Sequence, residues 1–421
     1  MSVPRKAIII GGGPAGLSVA LRLHQTTNIK CTIYEIRPEP TTLGGAIGIP
    51  ANGLRLLDRL GVYQSLLNRG SSQSDFVLHS GSGSLLGQQD DAAAYSRAET
   101  GYGYMRIKRA DVVDVLLKEV RKAGIPIHFG KKITEIKDGK NVSVVFEDGT
   151  KATADILFGC DGIHSTVRKI YVDPPQAPEY SGMSVLFSLI PATRLSAAAA
   201  ARVRGLSATL TAEGMFLAAP CTNNRDELFW GFTREVAIPD AKDTRDGWEV
   251  QARQEIDDFK SNLHGVLSNT QADWLDTLHQ LIDQTDVMKF FPIYRLPLGG
   301  TWSRGRCVLI GDAAHAMQPH TGQGASMALE DAFLISRMLA DPTRSVEEAC
   351  ASYHRIRKPR VEEIYLISAK NAEVRKKSGS WGIWAKEWMI WAAFSNPWGW
   401  GLRGQVLGQK FTIYDIDEEE I

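Results

Sequence analysis

The chain has 421 residues, 43% of them apolar, enough for two domains with layered cores. Its 48 basic and 48 acidic residues cancel, which leaves no electrostatic footprint for nucleic acid and favours an uncharged, largely apolar small-molecule substrate. Five scattered cysteines, an odd number with no Cys-x-x-Cys, argue against a disulfide framework or a zinc site, and no histidine cluster suggests another metal.

The N-terminus enters a strand almost at once without an apolar stretch of signal-peptide form, so a cytoplasmic location is expected. Ala7-Ile8-Ile9-Ile10 reads as that strand and Leu17 to Leu23 as a helix, with Gly11-Gly12-Gly13-Pro14-Ala15-Gly16 between them. Strand, glycine turn and helix is the order the dinucleotide fingerprint requires. Gly11 permits the tight turn, Gly13 lets backbone approach a pyrophosphate, and Gly16 lets helix and strand pack closely. Pro14 and Ala15 open a helix whose first N–H groups suit phosphates. A second strand, Cys31 to Tyr34, ends at Glu35, which lies 19 residues after Gly16 and suits ribose hydroxyls. Its charge would repel a 2′-phosphate, so the site reads as one for FAD or NAD, with Arg37 beside it.

Gly81 to Gly87 has the wrong spacing for a second fingerprint and reads as a loop. In Asp155 to Gly162 an apolar strand delivers Asp161 and Gly162 to its end, where open α/β sheets bind ligands. The alternative there is a strand-to-helix turn with Asp161 as N-cap and Arg168 on a solvated face. From about 180 to 294, short β-type runs at 183–188, 208–210, 214–219 and 228–233 predict an antiparallel sheet. Helices near 248–262 and 271–284 cover it, and 196–203 is a short helix or loop. Another buried strand ends at Gly311-Asp312, and Pro319-His320-Thr321-Gly322-Gln323-Gly324-Ala325 opens a helix. His320 and Tyr294 could orient or deprotonate a phenol, a satisfied structural histidine being the alternative for His320.

Six tryptophans, Trp381, Trp384, Trp388, Trp391, Trp398 and Trp400, crowd a segment broken by Lys386, Glu387 and Pro397, too interrupted for a spanning helix. Trp384, Trp388 and Trp391 share one helical face, expected to pack onto the protein body. Interfacial membrane docking and a substrate-entrance lid are the alternatives.

Three motifs in this order resemble those of the FAD-dependent aromatic hydroxylases of the para-hydroxybenzoate hydroxylase superfamily, nearer its salicylate hydroxylase-, tetracycline hydroxylase- and zeaxanthin epoxidase-like branches. They are the fingerprint, Cys160-Asp161-Gly162-Ile163-His164-Ser165-Thr166-Val167-Arg168, and Gly311-Asp312-Ala313-Ala314-His315. The resemblance covers the chain from Ala7 to about Arg360, and the ending Phe411 to Asp415 also fits it. With the elements above, it implies an α/β fold: a discontinuous Rossmann-type FAD-binding domain with a parallel sheet (1–75, 100–178 and 295–365), an antiparallel-sheet substrate domain (76–99 and 179–294), and a C-terminal helical, Trp-rich segment (366–421).

The resemblance also assigns roles. It gives Asp312 the ribityl O3′ hydroxyl, Arg109 the pyrophosphate, and Asp161 the cofactor region and nicotinamide path. Gly45, Ala46 and Gly48 belong to the loop beside the isoalloxazine, and Pro319 to the wall of the oxygen site. Gly322, Gly324 and Ala325 open the helix whose N–H groups can stabilise charge on the flavin ring. Met215, Phe216, Trp230 and Phe232 lie on sheet runs expected to roof the flavin and line the substrate pocket, strand alternation sending about half of them into the core. The activity implied is a monooxygenase cycle in which NAD(P)H reduces FAD, O2 adds at flavin C4a, and the hydroperoxide hands one oxygen to an electron-rich substrate by hydroxylation or epoxidation. A reductase or halogenase on the same fold, though without the halogenase Trp-x-Trp-x-Ile-Pro motif, and a non-catalytic flavin binder are the competing readings. A monomer or homodimer is expected.

Overall fold

The computed structural model describes residues 5–40, 44–239, 245–267, 270–395 and 409–421. Strand β1 (Lys6–Ile10) is buried from Ala7 onward, α1 (Pro14–Thr26) starts with its proline in the first turn, and β2 (Lys30–Tyr34) runs parallel to β1. After β3 (Ala46–Pro50), α2 (Ala51–Arg59) and α3 (Tyr63–Leu67), the strands β4 (Phe76–Ser80) and β5 (Leu85–Gln89) form a hairpin. The stretch expected to be a loop, Gly81 to Gly87, thus supplies both the turn and the start of β5. Beyond α4 (Ala94–Thr100), β6 (Tyr104–Lys108) pairs with β3 and leads into α5 (Arg109–Lys122).

Strand β7 (Ile127–His128) then joins the edge of the first sheet beside β2. A small antiparallel meander, β8 (Ile133–Lys137), β9 (Val142–Phe146) and β10 (Lys151–Ala154), was not anticipated. Strand β11 (Ile156–Gly159) returns beside β1 and is buried at every residue, the pattern of a parallel strand covered on both faces.

The next stretch builds a second sheet: β12 (Glu179–Pro191), α6 (Ala197–Arg202), β13 (Leu206–Leu210), β14 (Gly214–Pro220), β15 (Glu227–Glu235), α7 (Arg245–Asp257), α8 (Phe259–Val266), α9 (Asp273–Asp283) and β16 (Lys289–Arg295). Its strand order is β16-β12-β15-β14-β13-β4-β5, antiparallel except where β4 runs parallel to β13. Leu186, Phe216, Trp230, Phe232 and Phe290 share one face and pack beneath the helices with Trp274, Leu278 and Leu281. Val185, Phe187, Phe229, Thr233, Met215 and Leu217 occupy the opposite face, because side chains alternate along each strand.

The chain then re-enters the first sheet through β17 (Ser303–Arg304) and β18 (Cys307–Leu309), completing the order β17-β18-β11-β1-β2-β7. Helices α10 (Asp312–His315), α11 (Gly324–Ala340), α12 (Val346–Val374) and α13 (Ser380–Ser395) follow. Helix α12 starts with a full capping box between Ser345 and Glu348.

The tryptophan face of α13 does not pack inward as expected. Ile383, Ile390 and Phe394 take up the contact with the β4–β5 hairpin, Phe394 lying where a side chain at Gly87 would stand. Trp381, Trp384, Trp388 and Trp391 are left 84%, 59%, 55% and 52% exposed. Apart from Lys386 and Glu387, α13 is apolar on more than one face, and a single hairpin covers only one. Pro397, Trp398 and Trp400 lie outside the described residues.

Candidate active site

Strands β1, β11 and β18 are adjacent and parallel, with Ile10 in register with Gly159 and Gly159 with Leu309. Their carboxyl ends therefore deliver all three motif loops to one edge of the sheet, where such folds hold ligands. The loops touch. Gly11 has φ +112°, and a Cβ there would stand 2.3 Å from the Cys160 carbonyl oxygen. A Cβ at Gly16 would lie 2.0 Å from the Gly11 oxygen, and one at Gly311 3.5 Å from the Ala15 Cβ. No larger residue fits Gly11 or Gly16 without moving backbone, so the requirement read from spacing has a steric cause.

Beside the fingerprint lies a narrow cleft lined by Gly12, Gly13, Glu35, Arg37, Arg109 and Phe129 among others. Glu35 accepts hydrogen bonds from the backbone N–H of Gly12 (2.6 Å) and of Arg37 (2.9 Å), which holds its carboxylate at the mouth of the cleft. Arg109 donates its backbone N–H to Gly45 and is packed against Gly44 and Gly13. Burial and the neighbouring Arg37 hold the Arg109 guanidinium below its usual pKa, so an anion placed here gains from both cations.

Asp161 accepts from the N–H groups of Thr166 (2.7 Å) and Val167 (3.1 Å) through one oxygen. Its other oxygen is buried without a partner, and desolvation raises the carboxyl pKa. The capping alternative is therefore correct for half of the side chain and leaves the other half available to a ligand. Arg168 is not on a solvated face. It is 2% exposed and donates to the carbonyls of Ala313 (2.7 Å), Ile163 (2.5 Å) and Gln176 (3.2 Å), tying the Asp-Gly loop to the Gly-Asp loop. Asp312 is solvent-accessible yet closely surrounded by protein, as a group on the floor of a cleft must be; burial raises its pKa while His315 and Arg109 oppose the shift. A partnerless Asp161 oxygen, an accessible Asp312 in a cleft, side-chain-free glycines and cations at Arg37 and Arg109 make a donor set that fits FAD.

Beneath the Gly311 turn lies a buried charged network that sequence reading did not assign to the site. Asp331 accepts from the Gly311 N–H (2.9 Å), from His315 (2.6 Å) and from Arg357 (2.8 Å). Arg357 also donates to Glu330 (2.7 Å), which is further held by Arg360 and by Asn52 at 2.8 Å. Asn52 in turn donates to Gln323 (3.0 Å), the N-cap of α11. Through this network α2, α11 and α12 fix the turn that carries Asp312. The N–H groups of Gly324 and Ala325, in the first turn of α11, have no partner within the helix and lie next to Gly322, which takes φ +65°.

Pro319, His320 and Thr321 form a short turn packed on the end of α12. Ser368 donates to the Gln318 carbonyl (2.5 Å) and Asn371 to that of His320 (3.3 Å). Burial, aided by Arg375, pushes the His320 imidazole down to about 3, and its Nε2 is buried without a partner. That ring stays neutral near pH 7 and is a weak base, so orienting a substrate suits it better than deprotonating one. Tyr294 packs edge-on against His164 and Tyr180, 5.6 and 5.8 Å between ring centres, which ties it to the Asp-Gly loop.

The strand faces correct the pocket assignment. Phe216, Trp230 and Phe232 point into the helix-covered core and are at most 2% exposed, Trp230 donating to Thr285 at 2.9 Å. Met215 alone of the four lies on the other face, in a small apolar cluster with Leu78 and Val374. The aromatic residues that meet the Gly44–Gly48 loop are Phe187 and Phe229, whose rings stand 3.0 and 3.1 Å from where a Gly45 Cβ would be. Ala46 begins β3 beside them, and Gly48 sits under the Tyr104 hydroxyl. Alternation was readable from sequence; which parity faces the cofactor was not.

Comparison with known proteins gives the family and the fold. The FAD-binding-domain family matches residues 5–288 and 295–366. 6-Hydroxynicotinate 3-monooxygenase of Pseudomonas fluorescens is 30% identical over 90% of this chain and 95% of its own. Salicylate hydroxylase of Pseudomonas putida is 28% identical over 87% of this chain and 85% of its own. The crystal structure of Klebsiella pneumoniae HpxO with FAD and uric acid superimposes with a TM-score of 0.79 at 24% identity, covering 96% of this chain and 97% of that one. Among the described residues no helix is long and apolar enough to cross a membrane. The chain belongs to the FAD-binding-domain family of flavoprotein monooxygenases, and is an FAD-dependent oxidoreductase.

Proposed function

We propose that the protein hydroxylates an electron-rich aromatic ring, consuming O2 and a nicotinamide reductant. The observation that supports this is the convergence of Asp161 and Asp312 at one sheet edge, together with the rings of Phe187 and Phe229 against Gly45, whose carbonyl accepts from the Arg109 N–H. When bound there, FAD supplies the oxygen activation. The residues of the chain supply the rest. Asp312 and Arg109 would hold the ribityl and pyrophosphate groups, and the free N–H groups at the start of α11 would favour negative charge on the ring. Phe187, Phe229 and Met215 would keep water from the reacting face, and the proline at 319 offers a wall without an N–H donor. The curated relatives act, by their names, on hydroxylated aromatic acids, which supports a phenolic substrate here.

The test is an absorbance spectrum of the purified protein, then NADH and NADPH oxidation with O2 monitored against a panel of phenols and phenolic acids. Flavin bands, substrate-stimulated oxidation and a product carrying one atom from 18O2 are expected. Bound flavin that neither nicotinamide reduces, with or without any panel compound, would remove the reading.

A further inference from the structure

The polar groups of the substrate side are not all used by the protein. Helix α12 ends beside the Pro319 turn, and Arg375 is its C-terminal capping residue. The Lys377 N–H donates to Glu235 (2.9 Å) and that of Ser378 to the Ala212 carbonyl (2.8 Å), so this end is fastened to the rim of the second sheet, at β15 and the β13–β14 turn. Glu235 has the parity of Thr233 and Phe229, which puts the fastening on the cofactor side of the sheet.

Arg375 is closely surrounded by protein yet half-buried by accessible surface, the signature of a side chain lining a recess. Its hydrogen bond goes to the Asn371 carbonyl (2.6 Å), one turn back. No carboxylate pairs with it among the described residues, and desolvation pushes its pKa down to about 10. The helix end does not need this charge, since Lys386 already donates to the carbonyls of Val374 (3.1 Å) and Lys376 (3.2 Å). His320, whose imidazole feels the Arg375 charge, has its Nε2 buried without a partner, as is Oγ1 of the adjoining Thr321. A lone guanidinium beside two unsatisfied polar groups is costly unless something satisfies them. Arg106, a cation near the Phe229 ring, donates to the Tyr104 hydroxyl (2.5 Å) and lies 6.0 Å from that ring.

We propose that Arg375, with His320 and Thr321, reads a carboxylate on the substrate, making the substrate class an aromatic acid. This rests on the hydroxylase reading above, and it replaces the uncharged substrate expected from overall charge, because balanced totals say nothing about one recess. A guanidinium pairs with a carboxylate through two parallel N–H donors, which an amide of the same shape cannot match.

The experiment uses FAD-loaded protein and two probe pairs, salicylate with salicylamide and 6-hydroxynicotinate with its amide, titrated by their perturbation of the flavin spectrum. The wild type should prefer each acid over its amide by about tenfold or more. Arg375→Gln should weaken acid binding by about 10- to 100-fold and bring the acid-to-amide ratio near one, with Arg375→Lys in between. FAD occupancy and circular dichroism of each variant establish that it is folded. Four outcomes overturn the proposal: no acid preference in the wild type, no acid binding at millimolar concentration, an unchanged ratio in Arg375→Gln, or loss of the ratio in Arg106→Gln instead. Failure of NADH and NADPH to reduce the flavin in the same preparation would count against the hydroxylase reading alone.

Discussion

Replacing Arg357 with methionine should damage both stability and cofactor retention. The guanidinium is fully buried and donates to Asp331 at 2.8 Å, to Glu330 at 2.7 Å and to the Met327 carbonyl at 3.2 Å. Its removal takes one cation from two carboxylates that are at most 1% exposed, leaving Glu330 with Arg360 and Asn52 and Asp331 with His315 and the Gly311 N–H. Breaking a buried pair from one side costs about 3–5 kcal/mol, more than the pair contributes, because the remaining charge keeps its desolvation penalty. At about 2.1 cal/mol/K per residue over 421 residues, that is a fall in melting temperature of about 3–6 °C. Asp331 also holds the Gly311 N–H, so the turn carrying Asp312 should loosen and the Kd for FAD rise by about tenfold. The assay is thermal melting at saturating FAD together with FAD titration of the apoprotein, for Arg357→Met, Glu330→Gln and the double variant. Neighbours in one network should couple by about 0.5–3 kcal/mol. Unchanged melting, or strictly additive effects with normal FAD affinity, would refute the claim that this network supports the cofactor turn.

Three further outcomes are expected. Asp312→Ala should lose FAD on gel filtration while keeping its circular dichroism; full flavin occupancy would remove Asp312 from the cofactor site. Trp230→Ala should cost about 3–5 kcal/mol in denaturant unfolding without changing substrate preference, whereas Phe187→Ala should change preference or coupling, because the two rings lie on opposite faces of the sheet. The reverse pattern would mean the wrong face was chosen. His320 has a folded pKa lowered from 6.5 to about 3, so the unfolded chain binds its proton first. The stability it confers is complete above about pH 6.5 and is lost as pH falls toward 3, and His320→Gln should flatten that slope in urea midpoints taken from pH 7 to pH 4. Parallel slopes in the two proteins would show that the imidazole is not held neutral by the fold.

The parts of the site legible in the sequence are those whose physics is local. Gly11 and Gly16 collide with backbone near them in the chain or on the adjoining strand, so their spacing alone announces the turn. Asp312 follows an apolar strand directly. The strand face was hidden, because alternation gives two sets of residues and only tertiary cover, here α7 to α9, selects the inner one. Arg357, Arg360 and Glu330 escaped notice because charges in helices usually mean a wet surface. The readable signal was in α11, whose residues from Met327 to Phe333 are apolar except for Glu330 and Asp331; a carboxylate pair inside a helix that is apolar all round must have buried partners. The β8–β10 meander was also within reach, since Val142, Val144 and Phe146 alternate before an Asp148-Gly149 turn.

Helix α12 gives the site its coherence. Arg357 and Arg360 near its middle hold the acids under the Gly311 turn, Ser368 and Asn371 hold the Pro319 turn, and Arg375 closes the end. From Arg357 to Arg375 the rise is about 27 Å at 1.5 Å per residue. One rod therefore touches the cofactor turn, the oxygen-side turn and the proposed anion reader, and Lys377 and Ser378 fasten its end to the substrate sheet. Loops on separate elements could drift independently by an ångström, enough to separate substrate from the reacting atoms. Anchoring all three on a single helix makes their relative placement a property of backbone hydrogen bonds, which explains why so many buried charges are spent on fixing α12 rather than on the loops it supports.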